Sequence, residues 1–113
     1  LSELINYHLK REEYDMVLKY GESYIEANPA NLEILYLLAY AYRKKRQYNR
    51  AIDLGERVYL REPGQLKNLL NLAYCHSRAG NMARAEYFIE KVFALDPQNQ
   101  SAQRLVELLS KPQ

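Results

Sequence analysis

The sequence predicts an all-α solenoid: three helix-turn-helix pairs, the first truncated on its N-terminal side, followed by a C-terminal capping helix. Three observations predict it. Pro29, Pro63 and Pro97 stand 34 residues apart. The segments before them repeat one apolar spacing of three and four residues, the period of a helix. Four Gly and four Pro in 113 residues leave room for long helices. The repeats read as 1–31, 32–65 and 66–99, with the capping helix at about 100–110, all in one domain spanning 1–113.

Residues 1–10 carry Leu1, Leu4, Ile5 and Leu9 at helical spacing and read as the tail of a longer helix. The chain opens on Leu1 instead of Met, which predicts that it was cut from a longer protein or processed. After a charged connection at 11–13, a second helix runs from Tyr14 to Ala27. Asn28-Pro29 ends it, because the residue before proline is pushed out of the α region.

The central pair repeats this plan. Leu32 to Lys45 places Leu35, Leu38, Ala39 and Tyr42 on one face, and its last turn is rich in cations that complement a helix C-terminus. Tyr48 to Leu60 is its partner. In the third pair, 65–79 carries Leu69, Leu72, Ala73 and His76 at the matching places. Gly80-Asn81 makes the turn, with Asn81 as an N-cap, and Met82 to Leu95 follows. The last helix, 101–110, has Ala102, Leu105, Val106 and Leu109 on its apolar side and Gln103, Arg104 and Glu107 on its wet side. The tail at 111–113 is expected to fray.

Stacked 34 apart, the copies form columns. Leu1, Leu35 and Leu69 make one apolar column, and Leu4, Leu38 and Leu72 another. Ile5, Ala39 and Ala73 meet Val17, Ala51 and Ala85 as small residues at a close helix contact. Tyr14, Tyr48 and Met82 open the second helices, and Glu22, Glu56 and Glu90 read as solvent-facing.

With the 34-residue period, the LAYAY run at 38–42, the LAYCH run at 72–76, GNMARAE at 80–86 and the three prolines, the chain resembles the tetratricopeptide repeat family. The resemblance covers nearly the whole chain. It implies stacked antiparallel helix pairs in a superhelix whose first helices line a concave groove for a peptide or a partner helix. Gly21 and Gly55 depart from the family, which usually has an aromatic residue there, and Tyr24 and Val58 stand where it has a small one. Two readings follow: Tyr24 fills the space left by Gly21, or the helix is locally loose. Arg46 replaces the glycine found at Gly80, which predicts a less tight turn.

With 48% apolar and 27% charged residues the chain is globular, and its net charge of +2 is too small to imply nucleic acid. No apolar run approaches the roughly 18 residues of a membrane helix. The single Cys75 has no internal disulfide partner and favours a reducing, cytoplasmic setting, while an unseen upstream anchor leaves a periplasmic or tethered one open. Cys75 reads as a small buried residue.

No P-loop, dinucleotide turn, HExxH or CxxC is present, so no enzyme activity, metal or cofactor is predicted. His8 and His76 share a column but lie two repeats apart, roughly 20 Å at helix spacings of 8–10 Å, too far to share a metal. Arg43, Lys44, Lys45, Arg46 and Arg50 form either a docking patch or a solvated helix end.

The resemblance assigns the groove to a second face of the first helices. It carries Asn6 in the first copy, Tyr36, Tyr40, Arg43 and Lys44 in the second, and Lys67, Leu70, Asn71, Tyr74 and Arg78 in the third. Ser2, Leu9, Glu33 and Ser77 flank them. The tyrosines join apolar area to a hydrogen-bonding tip, Asn6 and Asn71 are suited to a ligand backbone, and cations outnumber Glu33. The alternative is that the tyrosines pack against each other across repeats. The expected ligand is a protein segment with acidic and apolar side chains. Some relatives hold chaperone tails in a two-carboxylate clamp, whose five places fall here on Ser2, Asn6, Leu37, Lys67 and Asn71; of these Asn6 and Lys67 agree. The expected role is a non-enzymatic interaction module. The alternatives are an assembly scaffold that self-associates through its truncated end, and a secretion-type chaperone.

Overall fold

The computed structural model describes residues 2–111; Leu1 and its place in the first apolar column, and the tail residues Pro112 and Gln113, lie outside them. Seven helices follow in order: α1 (Ser2–Lys10), α2 (Tyr14–Ala27), α3 (Leu32–Lys44), α4 (Tyr48–Arg61), α5 (Leu66–Arg78), α6 (Met82–Leu95) and α7 (Gln100–Ser110). Each lies within about one residue of its predicted span. Each packs on its sequence neighbour, and α3, α5 and α7 also adjoin one another, which stacks the pairs into a solenoid of 40 × 29 × 22 Å. Among the described residues no helix is long and apolar enough to cross a membrane.

The proline turns start the next helix as well as stopping the last. Asn31, Gln65 and Asn99, one column, each accept the backbone N–H three residues on, at 3.0, 3.1 and 2.8 Å. These are N-cap bonds that satisfy donors the helix cannot.

The turns inside each pair form another column. Glu12, Arg46 and Gly80 all adopt left-handed φ values of 58, 62 and 85°. In each, the next residue's N–H reaches back five residues, Glu13 to His8, Gln47 to Tyr42 and Asn81 to His76, at 3.0, 2.9 and 2.8 Å. This is the Schellman closure of a helix C-terminus. The turn at Arg46 is therefore as tight as the one at Gly80, contrary to the sequence expectation, because the closure holds a non-glycine residue in the left-handed region. Asn81 sits at the N-cap but does not cap: its amide turns to His76 Nδ1 (3.3 Å).

The core runs the length of the stack. Ile5, Ala39, Ala73, Val17, Ala51 and Ala85 are buried as the small columns require. Gly21 is not filled by Tyr24, nor is its helix loose. A Cβ there would stand 2.5 Å from Leu38 Cδ2, and one on Gly55 would stand 2.7 Å from Leu72 Cδ2. Each glycine is a hole for the leucine of the following helix, while the Tyr24 hydroxyl accepts from Asn31 (3.4 Å). Leu4 shares that leucine column but is 40% exposed, since no described helix packs on its side.

Two of the three glutamates read as solvent-facing are inter-helix ties. Glu22 accepts from the Tyr42 hydroxyl (2.5 Å), and Glu56 accepts from His76 Nε2 (2.9 Å) and Arg84 Nη2 (2.9 Å). An ionised carboxylate only accepts, so His76 carries its proton on Nε2. Burial raises the Glu56 carboxyl, but the Arg84 and His76 hydrogen bonds outweigh it and hold it below the usual range.

Candidate partner-binding groove

The first helices of the pairs, α1, α3, α5 and α7, line one groove made of two clefts in series. The N-terminal cleft, about 700 Å³, is bounded by Asn6, Leu9, Lys10, Glu12, Tyr14, Tyr36, Leu37, Tyr40 and Lys67. The C-terminal cleft, about 330 Å³, is bounded by Tyr36, Arg43, Lys67, Leu70, Asn71, Tyr74, Ser101, Arg104, Leu105 and Leu108. Tyr36 and Lys67 belong to both and form the ridge between them.

Eight of the ten residues assigned from the sequence meet here: Asn6 and Tyr40 in the first cleft, Arg43, Leu70, Asn71 and Tyr74 in the second, and Tyr36 and Lys67 in both. Lys44 and Arg78 line neither cleft. Lys44 lies over the Tyr40 ring and Arg78 over Tyr48, both at 5.7 Å, on the exposed helix ends.

The tyrosines are packed and presented at once. Tyr40 meets Tyr14 edge-on at 6.4 Å, and Tyr74 meets Tyr48 at 6.2 Å, pairs repeated 34 residues apart. Each groove tyrosine thus rests on the tyrosine that opens the preceding second helix. Its ring remains half-buried at the groove wall. Burial raises the Tyr36 hydroxyl above its ordinary value, with the nearby Tyr40 adding to it and Arg43 opposing. Tyr36 is therefore a neutral donor and acceptor at physiological pH.

Arg43 organises the second cleft. Its guanidinium stacks on Tyr74 at 4.3 Å and donates to Asn71 Oδ1 at 3.3 Å. Asn71 is 2% exposed, and its Nδ2 has no hydrogen-bond partner among the described residues. Held by Arg43, the amide is not free to bond a ligand backbone in this arrangement, as the sequence reading expected. The predicted basic patch is dispersed: Arg43 turns into the groove, Lys45 pairs with Asp15, Arg46 forms the turn, and Arg50 lies over Tyr42. Among the described residues no carboxylate pairs with Arg43, Lys67 or Arg104.

The sequence reading missed the contribution of α7. Arg104, assigned to the wet side, and Ser101, Leu105 and Leu108 bound the second cleft. The signal was in the register. These four lie 34 residues after Lys67, Leu70, Asn71 and Tyr74, so α7 continues the groove as a fourth first-type helix. Lys10, Glu12, Tyr14 and Leu37 were likewise not assigned to the groove wall.

The other candidate residues are engaged elsewhere. His8 Nδ1 bonds Glu13 (3.1 Å), and His76 stacks on Phe88 at 5.7 Å. Cys75 is fully buried, and burial pushes its thiol up to about 12, out of nucleophilic range.

A family model described as tetratricopeptide repeat matches residues 42–109, and a second one matches residues 20–53. Among solved structures, the chain is similar to the second TPR domain of human RPAP3 in complex with the HSP70 peptide SGPTIEEVD. That likeness has a TM-score of 0.90 at 22% identity over 98% of this chain and 92% of that one. The first TPR of Spaghetti (RPAP3), bound to the HSP90 peptide SRMEEVD, gives 0.89 at 19%, over 96% and 86%. The Arabidopsis OM64 TPR domain gives 0.89 at 18%, over 96% and 89%. No curated protein sequence matches the chain. At these identities the structural likeness is one of fold, and with the 34-residue register and the matching family models it makes the chain a member of the tetratricopeptide repeat family.

Proposed function

We propose that this chain is a non-enzymatic protein-interaction module whose groove captures a partner segment bearing acidic and apolar side chains. One observation carries the reading. Arg43, Lys67 and Arg104 converge on a cleft walled by Leu70, Leu105 and Leu108, and none of the three has a carboxylate partner among the described residues. Unpaired cations beside apolar surface favour a ligand that supplies the missing anion and the apolar contact together. Tyr36, Tyr40 and Tyr74 add rigid contact area, and their packing against Tyr14 and Tyr48 reduces the entropy lost on binding.

Two similar domains are solved with peptides ending in EEVD. The two-carboxylate clamp of some relatives does not carry over intact, since Leu37 is a buried apolar residue and Asn71 is held by Arg43. The anion contact in this chain centres instead on the second cleft, where α7 adds Arg104.

An array of immobilised ten-residue peptides spanning acidic-apolar, basic-apolar and neutral-apolar compositions tests the reading. Acidic-apolar peptides should be retained, with binding weakened by salt. Arg43→Ala/Tyr74→Ala should lose affinity by about tenfold or more, the equivalent of ~1.4 kcal/mol. Equal retention of basic peptides, or unchanged affinity in the variant, would overturn it.

A further inference from the structure

The junction between α6 and α7 is left open where the two earlier junctions of the same kind are closed. At α2–α3 the Tyr42 ring sends its hydroxyl to Glu22, and at α4–α5 the His76 ring sends Nε2–H to Glu56. The third place in that ring column is Ser110, whose hydroxyl turns back to the Val106 carbonyl (2.8 Å). Glu90, the third carboxylate, has no hydrogen-bond or ion-pair partner among the described residues. The knob-and-hole column also changes. Gly21 and Gly55 admit the buried Leu38 and Leu72, but the third pair of residues is Ile89 and Val106, and Val106 is 39% exposed. A cleft of about 370 Å³ remains, with Ile89, Phe93 and Val106 on its apolar side and Glu86 and Glu90 beside them.

The earlier junctions define what closes such a cleft: a ring with a polar hydrogen directed at the carboxylate. The acidic pair Glu86 and Glu90 adds a demand for a cation. The exposed face of α1 carries this combination. Tyr7 is 55% exposed and Leu4 40%, with Lys10 and Arg11 one turn further on. Lys10 has no carboxylate partner among the described residues. Arg11 lies 5.5 Å over the Tyr7 ring. The other exposed tyrosine, Tyr87, is already bonded to Tyr59 and roofed by Arg84.

We propose that a second copy of this chain docks its α1 on the α6–α7 junction, with Tyr7 donating to Glu90 and Lys10 and Arg11 facing Glu86. Leu4 enters the apolar part of the cleft and is buried there, as Leu38 and Leu72 are within the chain. The two surfaces lie on opposite ends of the solenoid, so the contact is head-to-tail and grows open chains, not closed dimers. The faces are small, so association is weak and depends on concentration.

Sedimentation velocity of the 113-residue chain from about 10 μM to about 1 mM tests this, a range that brackets contacts of this strength. The mean mass should rise with concentration beyond a dimer. Tyr7→Ala, which removes the head, and Glu90→Ala, which removes the tail, should each stay monomeric with an unchanged circular dichroism spectrum. Their equimolar mixture retains one good head and one good tail, and should stop at a dimer. A wild-type chain that stays monomeric throughout overturns the proposal, as does a Tyr7→Ala chain that associates like the wild type. A mixture no heavier than its separate components also overturns it. Any of these would leave the cleft to a foreign partner.

Discussion

Leu72 occupies the space that a side chain at residue 55 would need. A Cβ on Gly55 would lie 2.7 Å from Leu72 Cδ2 and 3.0 Å from its Cγ, inside contact distance. Glycine in a helix interior is normally a liability of about 1 kcal/mol relative to alanine. Here it is the seat of the next repeat. Leu72 is fully buried and has little room to withdraw, so Gly55→Ala should destabilise, by about 1–3 kcal/mol of overpacking less the propensity gain. Urea unfolding of the variant measures it, and a rise in midpoint would contradict the packing described.

The same pair should be energetically coupled. Leu72→Ala alone should cost about 2–5 kcal/mol as a core truncation. In a chain that already carries Gly55→Ala, the new methyl group partly fills the cavity. The double variant should then lose less than the sum of the singles, with a coupling of about 0.5–3 kcal/mol. A double-mutant cycle from urea midpoints reads this directly, and strict additivity would separate the two residues.

The left-handed turn column predicts opposite effects of opposite substitutions. Gly80 has φ 85° with open space around it, so Gly80→Ala suffers backbone strain and no clash, a loss of about 1 kcal/mol. Arg46 already bears that strain at φ 62°, so Arg46→Gly should gain about 0.5–1 kcal/mol. Thermal melts of the two variants should move in opposite directions.

Glu56 ties α4 to His76 of α5 and Arg84 of α6, and its carboxyl is held below the ordinary 4.5. A depressed carboxylate contributes stability that is fully present above its unfolded value and is lost as pH falls through its folded one. The melting temperature should therefore fall as pH drops below about 4.5. Glu56→Gln should flatten part of that fall while lowering stability at neutral pH. A variant with the wild-type acid slope would remove Glu56 from the cause.

The sequence by itself determined the helices, their order and their stacking unit. These follow from local rules that repeat: apolar residues every three or four positions, proline stops, and a 34-residue period that no other architecture explains as well. It also brought together most of the groove wall, because residues 34 apart occupy equivalent places. The tertiary structure decided what depends on a neighbour far along the chain. Gly21 and Gly55 looked like defects in their own helices until Leu38 and Leu72 arrived from the next. Glu22 and Glu56 read as wet until Tyr42 and His76 reached them. Arg46 takes a backbone conformation that its residue type disfavours because the helix closure around it requires one. The α7 helix read as a cap with one wet side, and packing beside α5 turned Arg104 and Leu108 toward the groove. In each case a single helix carries the pattern, but the environment of a side chain is set by the helix packed against it.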